Sequence, residues 1–364
     1  LPVARGSTHA GQSRPRYVWH EDAGMGILNV LEDAINPLVS SGKIVTQLDT
    51  KVTSLDVTPD NIIQGVVGRT FEGEEKRWRG RNVVLTSGGY AANSKMFAEL
   101  EGAKDYSQYS YPFCQGIGIE LGLSVGGFLR GGENHLPSFG AIMASDEIPS
   151  NSMASLNHHP SNRETPEIWV NAEGQRFIAE DEDSIHEKEL AVIKQPHERF
   201  WVVFNESMLK ENTPPVRNRD TEQLEAAFND DLPSFVKAPT LSKLGELAGI
   251  DASGLEKTVK SYNAAQKSGK DTAHNRKHMP TPIGEGPYYA IRVQSSQVLT
   301  FAGLAVDKEL RVLRSDKTSV PNLFAAGEVI GAGQIMGRCY AGGMSVTPAL
   351  SFGHWLGSEL IPIS

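Results

Sequence analysis

Only two cysteines, Cys114 and Cys339, occur in 364 residues; they lie far apart and form no C-x-x-C pair. That argues against a disulfide framework and an iron–sulfur centre, and it fits a reducing compartment such as the cytoplasm. No apolar run approaches the roughly 20 residues that span a bilayer. No Lys/Arg-rich run occurs and the formal charge is −9, which disfavours general nucleic-acid binding. There is no c-type haem motif, internal repeat or low-complexity tract. His158-His159 is followed by Pro160 without further ligand spacing, so no metal site is expected. The first residue is Leu1 rather than Met, and Arg5, Arg14 and Arg16 precede no apolar segment of the signal-peptide kind. The sequence therefore reads as processed, excised or truncated.

What is present is ordinary globular protein. Apolar residues make up 39% and charged residues 22%. The length suggests two domains. Thirty-six Gly and 20 Pro indicate many tight turns and loop-built sites.

Apolar residues recur at helical spacing from Ile27 to Ser40, with Pro37 expected to end or kink that helix. Strand-like runs follow at Lys43–Gln47, Lys51–Val57 and Ile62–Arg69. A polar segment, Arg69–Arg81, leads into a short buried strand at Asn82–Thr86 and then Ser87-Gly-Gly-Tyr90. Gln115–Gly127 reads as helix. From Gly132 to about Gly286 polar loops alternate with helix-like stretches, Thr221–Phe228 and Leu241–Ser268. Glu167–Ile178 reads as strand-turn-strand with its turn at Asn171–Gly174, and Trp201–Asn205 as a buried strand. Short strands return over Tyr288–Val298, Leu304–Asp307, Leu310–Leu313 and Leu323–Ala326, before a helix from about Ser345 to Leu360. The pattern suggests a nucleotide-binding α/β domain interrupted by a second domain.

Three motifs carry the chemistry. Phe324-Ala-Ala-Gly-Glu328 is an apolar strand ending where glycine admits a close ligand and a carboxylate can accept hydrogen bonds. Alone, it is also an ordinary strand end. Tyr340-Ala-Gly-Gly-Met-Ser-Val-Thr-Pro348 opens a helix whose free N–H groups favour negative charge, though a capped helix without ligand has the same sequence. Ser87-Gly-Gly-Tyr90 is a turn at a strand's carboxyl end, where ligands sit in α/β sheets; it is as compatible with a purely structural turn.

In this order the pieces resemble the fumarate reductase/succinate dehydrogenase flavoprotein family, with ketosteroid-dehydrogenase and tricarballylate-dehydrogenase types as nearer relatives. The likeness runs from Gly24-Met-Gly26 through Val83–Gly89, Gly116–Gly122, Ile168–Phe177, Pro287–Ile291 and Phe301–Asp307 to Asn322–Glu328. It implies FAD as cofactor and a Rossmann-like FAD/NAD(P)-binding α/β domain, N-terminally incomplete, with an inserted α+β capping domain. The expected division is residues 1–134 and 297–364 for the FAD domain and 135–296 for the cap. By the same resemblance Gly88, Gly89, Gly327, Glu328, Gly342, Gly343, Ser345 and Val346 are candidate flavin contacts.

The sequence departs from the fumarate reductases where they handle substrate. Their proton-donating arginine would fall at about Ser184. The Thr-Glu pair that grips a carboxylate would fall at His159 and Pro160, and only Arg163 matches. Val298-Leu-Thr-Phe301 stands where a histidine is expected. The arginine two residues before the paired glycines is replaced by Tyr340, closer to the ketosteroid-dehydrogenase pattern. A phenol there can act as acid or base or polarise a carbonyl. Tyr340, Arg338, Arg163 and His159, with His135, are the candidate catalytic residues. Each also has a plain packing or ion-pairing reading.

The family's opening βαβ unit carries Gly-x-Gly-x-x-Gly, and no glycine here completes that fingerprint after an initial strand. Without it, the sheet would leave apolar edges unpaired. Three readings follow: part of a longer FAD enzyme or one whose front is a complementing chain, a cofactor-free binding or structural module, or a weak flavin binder. The first is preferred. It implies an oxidoreductase acting on a CH–CH bond beside a carbonyl or carboxyl group of a small molecule.

Overall fold

Alternating burial from Ile63 to Val67 shows how the first strands form: every second residue turns inward as the pleat requires, until the phase shifts at Gly68. Thr50–Val57, Ile63–Thr70 and Glu75–Arg79 make an antiparallel three-stranded sheet. Its first turn places Asn61 in the left-handed region, which Asn tolerates better than most residues. The Glu75–Arg79 strand lies in the segment expected to be merely polar, because exposed Glu75, Arg77 and Arg79 alternate with half-buried Lys76 and Trp78 at a sheet edge. Lys43–Gln47, expected as strand, is irregular: Val45 is 86% exposed and finds no sheet partner. The first helix, Gly24–Ser40, runs past Pro37, whose missing N–H falls in the closing turn.

The computed structural model describes residues 20–360 apart from Ala23, Ser161, Asp231 and Tyr340. The chain divides into two units. One holds the described residues up to Tyr90, Cys114–Asn134 and those from Thr300 onward; the other holds Ala91–Phe113 and His135–Leu299. Residues 91–113, grouped with the FAD domain from sequence, pack in the second unit, where Ser107–Gln108 pairs with Ser150–Asn151.

In the first unit, Val83–Leu85 runs parallel to Leu323–Ala325 of the strand Ser319–Ala325, which pairs antiparallel with Arg311–Leu313. Val83–Leu85 has a strand neighbour on one side only among the described residues. Helices Ile117–Ser124 and Val346–Leu360 complete the surroundings of the two strand ends.

The second unit is built on a seven-stranded sheet ordered Ser107–Gln108, Ser150–Ser155, Ser138–Met143, Tyr288–Ser296, Arg199–Asn205, Ile168–Val170, with Phe235–Ala238 also pairing with Tyr288–Ser296. Arg199–Asn205 is buried along almost its whole length, which explains its unbroken apolar reading. Leu241–Ser268 divides into Leu241–Ala248 and Ala252–Ser268, because Gly249 adopts φ +73° and ends the first helix. Helix Thr221–Asn229 begins with a capping box between Asp220 and Gln223.

Candidate functional site

The site in the first unit begins where Val83–Leu85 ends. Ser87-Gly88-Gly89 then turns, with Gly88 at φ +74°. The turn is pinned from both sides of Gly88. The Gly116 N–H donates to the Gly89 carbonyl at 3.0 Å, and the Gly118 N–H to the Ser87 hydroxyl oxygen at 3.1 Å. The fully buried Tyr90 donates its hydroxyl to the Ala302 carbonyl at 3.2 Å.

Glu328 follows the parallel neighbour strand. Its Oε1 accepts from the Thr300 N–H at 2.9 Å and the Thr300 hydroxyl at 3.0 Å. A side-chain carbon on Gly89 would collide with both Thr300 and Glu328, so this close approach demands glycine. Burial, with the Glu328 charge adding to it, pushes the Cys114 thiol up from its usual range.

A cleft of about 690 Å³ lies against these strand ends. Gly88, Gly327 and Glu328 line it at the loop end, and Ala349, Gly353 and Gly357 line it from the long C-terminal helix. The last three recur every four residues and share the cleft wall with Leu356 and Leu360, so the helix presents small and apolar residues along the cleft. Sequence reasoning singled out none of them; the Ala-x3-Gly-x3-Gly spacing after Ser345 was the available signal. The cleft's size lies in the range of cofactor and ligand pockets. Its glycine turns, small helix face and strand-end position suit a large planar cofactor on this wall.

Gly342, Gly343, Ser345 and Val346 form the turn into the helix and its first residue; Gly343 accepts the Thr347 N–H at 2.9 Å. Ser345 and Val346 are exposed and stand outside the cleft lining. Arg338 is exposed, and Tyr340 lies outside the described residues.

Arg163 and His159 belong to the second unit. Arg163 is buried and committed to Glu167 through two parallel hydrogen bonds of 2.7 Å each. It also donates to the Thr213 carbonyl at 2.9 Å. Burial alone would raise the Glu167 carboxyl, but the Arg163 charge and hydrogen bonds hold it below its usual range. His159 is half-buried, and its carbonyl accepts the Asn162 N–H at 2.9 Å. The neighbouring His158 is buried and held neutral, chiefly by burial and then by the Lys188 and Arg217 charges. Lys188, itself fully buried, donates to the His158 carbonyl at 2.7 Å and lies 5.5 Å from the Trp169 ring. Burial brings its ammonium down to about 8. His135 pairs with Glu101 at 3.3 Å. Among the described residues no group of three metal-ligating side chains occurs, and no helix is long and apolar enough to cross a membrane.

A model of the FAD binding domain (FAD_binding_2) matches residues 4–346. The chain belongs to this FAD-binding family. Its fold and cofactor expectations thus rest on nearly the whole chain. It is 29% identical over 284 residues to the fumarate reductase (cytochrome) of Shewanella frigidimarina, covering 76% of this chain and 45% of that protein. It is 25% identical over 377 residues to the 3-oxosteroid 1-dehydrogenase of Mycolicibacterium smegmatis, covering 93% and 63%. The open conformation of a flavocytochrome c3 fumarate reductase superposes with a TM-score of 0.69 at 25% identity, covering 97% of this chain and 58% of that one. The chain spans about half the length of the curated relatives it matches. Both named lines of relatives, fumarate reductases and steroid dehydrogenases, belong to the flavoprotein grouping inferred from the motifs.

Proposed function

We propose that this chain forms part of an FAD-dependent oxidoreductase that dehydrogenates, or in reverse reduces, a carbon–carbon bond beside a carbonyl or carboxyl group. The cleft where Gly88, Gly327 and Glu328 meet the small face of the C-terminal helix carries the reading, because it unites residues from three separate family motifs. FAD, when bound, supplies the acceptor for a hydride; the polypeptide must orient the cofactor and move the accompanying proton. Gly89 and the Thr300–Glu328 pair keep that cleft wall in place. Tyr340 takes the proton role, with Arg338 countering charge. The adenine and pyrophosphate end of the cofactor would be held by a segment preceding Leu1 or by a complementing chain. The one-sided pairing of Val83–Leu85 supports this arrangement, as does the exposed apolar face of helix Gly24–Ser40. A small-molecule substrate and a cytoplasmic setting complete the proposal.

Titration of the purified chain with FAD, followed by absorption and by flavin fluorescence, tests cofactor binding. Saturable binding weakened by bulky replacement of Gly327 supports the proposal. A cooperative melt with no flavin signal would favour a cofactor-free binding module. Once a substrate is found, Tyr340→Phe should lower kcat by roughly 10²-fold or more while leaving the melting temperature unchanged. Unchanged turnover would remove Tyr340 from the mechanism.

A further inference from the structure

A second cleft, of about 460 Å³, lies wholly within the second unit and has no part in the flavin reading. It opens beside the strand Ser150–Ser155. Ser107–Gln108 pairs with that strand only at Ser150 and Asn151. At the other end, the chain around Val216 closes on it: Leu156 bridges Val216, and the Arg217 N–H donates to the Ser155 carbonyl at 2.9 Å. Between these two attachments the strand flank is left to side chains.

Those side chains have one character. Arg217 and Arg219 both line the cleft, on either side of Asn218, whose φ of +57° turns the backbone between them. Tyr109, Ser152 and Ser155 add hydroxyl groups, and among the described residues no acidic side chain lines the cleft. The Ser152 hydroxyl is already turned to the Ala154 carbonyl at 2.8 Å; Tyr109, Ser155, Arg217, Asn218 and Arg219 are the other polar residues of the lining. Neither arginine forms an ion pair with a carboxylate among the described residues; Arg219 instead lies 6.0 Å from the Phe235 ring. The Arg217 charge is felt by His158, which it helps to keep neutral.

In a chain of net charge −9, two arginines lining one cleft, neither paired with a carboxylate, favour a ligand of negative charge. An oxyanion there would gain both attraction and planar guanidinium donors. We propose that this cleft is a binding site for a small-molecule oxyanion, a carboxylate or a phosphate group, with the Tyr109 ring available to the rest of the ligand. The site is independent of the FAD reading and stands or falls without it.

Calorimetric titration of the intact chain tests it, with succinate in one series, inorganic phosphate in a second, and chloride at matched ionic strength as the background. Saturable binding of succinate or phosphate above the chloride background is expected. Arg217→Ala and Arg219→Ala should each weaken it roughly tenfold or more. Arg217→Lys keeps the charge but loses the fork, and an intermediate affinity is expected; it keeps the test readable if an alanine variant misfolds by circular dichroism. Preference for succinate would name a carboxylate ligand, and preference for phosphate a phosphorylated one. Absence of saturation with both anions, or full affinity in the double alanine variant, overturns the proposal.

Discussion

The two units bury their side chains in opposite ways. The second encloses a continuous core around Trp169, Phe200, Phe204 and Tyr289, with Phe139 stacked on Phe200 at 5.0 Å and Phe204 on Tyr289 at 5.5 Å. It also buries charge. Glu180, fully inaccessible, accepts from Arg176 at 2.6 Å, from Arg276 at 3.0 Å and from the Trp169 N–H at 3.0 Å. The first unit leaves apolar surface open. On helix Gly24–Ser40 only Gly26 is buried, and Leu28, Val30 and Ile35 are exposed. A cluster there is small, with Leu310, Phe324, Ala326 and Leu356 at its centre. A unit that satisfies its own apolar and charged groups can hold its shape alone. A unit with an open strand edge and a bare helix face leaves its apolar surface to solvent.

Breaking the buried charge network should give the largest effect. Glu180→Ala leaves Arg176 and Arg276 facing a gap in a dry interior, and is expected to destabilise the second unit by about 3–5 kcal/mol. Denaturant unfolding followed by tryptophan fluorescence measures this, and a loss under 1 kcal/mol would show that Asp271, which also pairs with Arg176 at 2.9 Å, compensates for the lost carboxylate.

The next effect depends on pH. Burial raises the Glu189 carboxyl from 4.5 to about 9. The folded state therefore keeps a proton that the unfolded chain releases above pH 4.5. Stability from this group is complete in acid and drains away as pH rises toward 9. Glu189→Gln should raise the melting temperature at pH 8 by roughly 5 °C or more, with little change at pH 4.5. Parallel melting curves for both proteins across this range would refute the assignment.

Gly89→Ala sharpens the comparison from the first unit. Its methyl group would strike Thr300 and Glu328, costing about 1–3 kcal/mol as an overpacked contact. FAD affinity should fall with it; equal affinity in a destabilised variant would separate the cleft wall from cofactor binding. The smallest effect is expected on the open helix. Leu28→Gln and Leu31→Gln should each change the stability of this chain by no more than about 0.5 kcal/mol, as at an uncovered surface. A loss of about 2 kcal/mol, the scale of a buried leucine, would mean that the face is covered in solution.

Legibility in the sequence followed burial pattern. Trp201–Asn205 read as a strand, and the structure extends it to Arg199–Asn205 around an unbroken apolar run; Thr221–Phe228 read as helix, and the structure extends it to Asn229 behind an Asp220 cap. Lys43–Gln47 misled because a short apolar run without a partner strand does not make a sheet, and Glu75–Arg79 was hidden because every residue in it but Trp78 is charged. The Gly88–Gly89 and Gly327–Glu328 pieces were visible as separate motifs, 238 positions and a whole unit apart in the chain. Ala349, Gly353 and Gly357 were missed because small residues on a helix mean nothing until something faces them.

By itself, the sequence determined the family, the α/β texture and the order of the motifs, since these depend on local spacing and residue type. Tertiary structure decided which groups share a space. It joined Gly89 to Thr300 and Glu328, committed Arg163 to Glu167, moved residues 91–113 into the second unit, and left Arg217 and Arg219 together at one cleft. Those outcomes rest on contacts between distant segments, and no local propensity specifies such contacts.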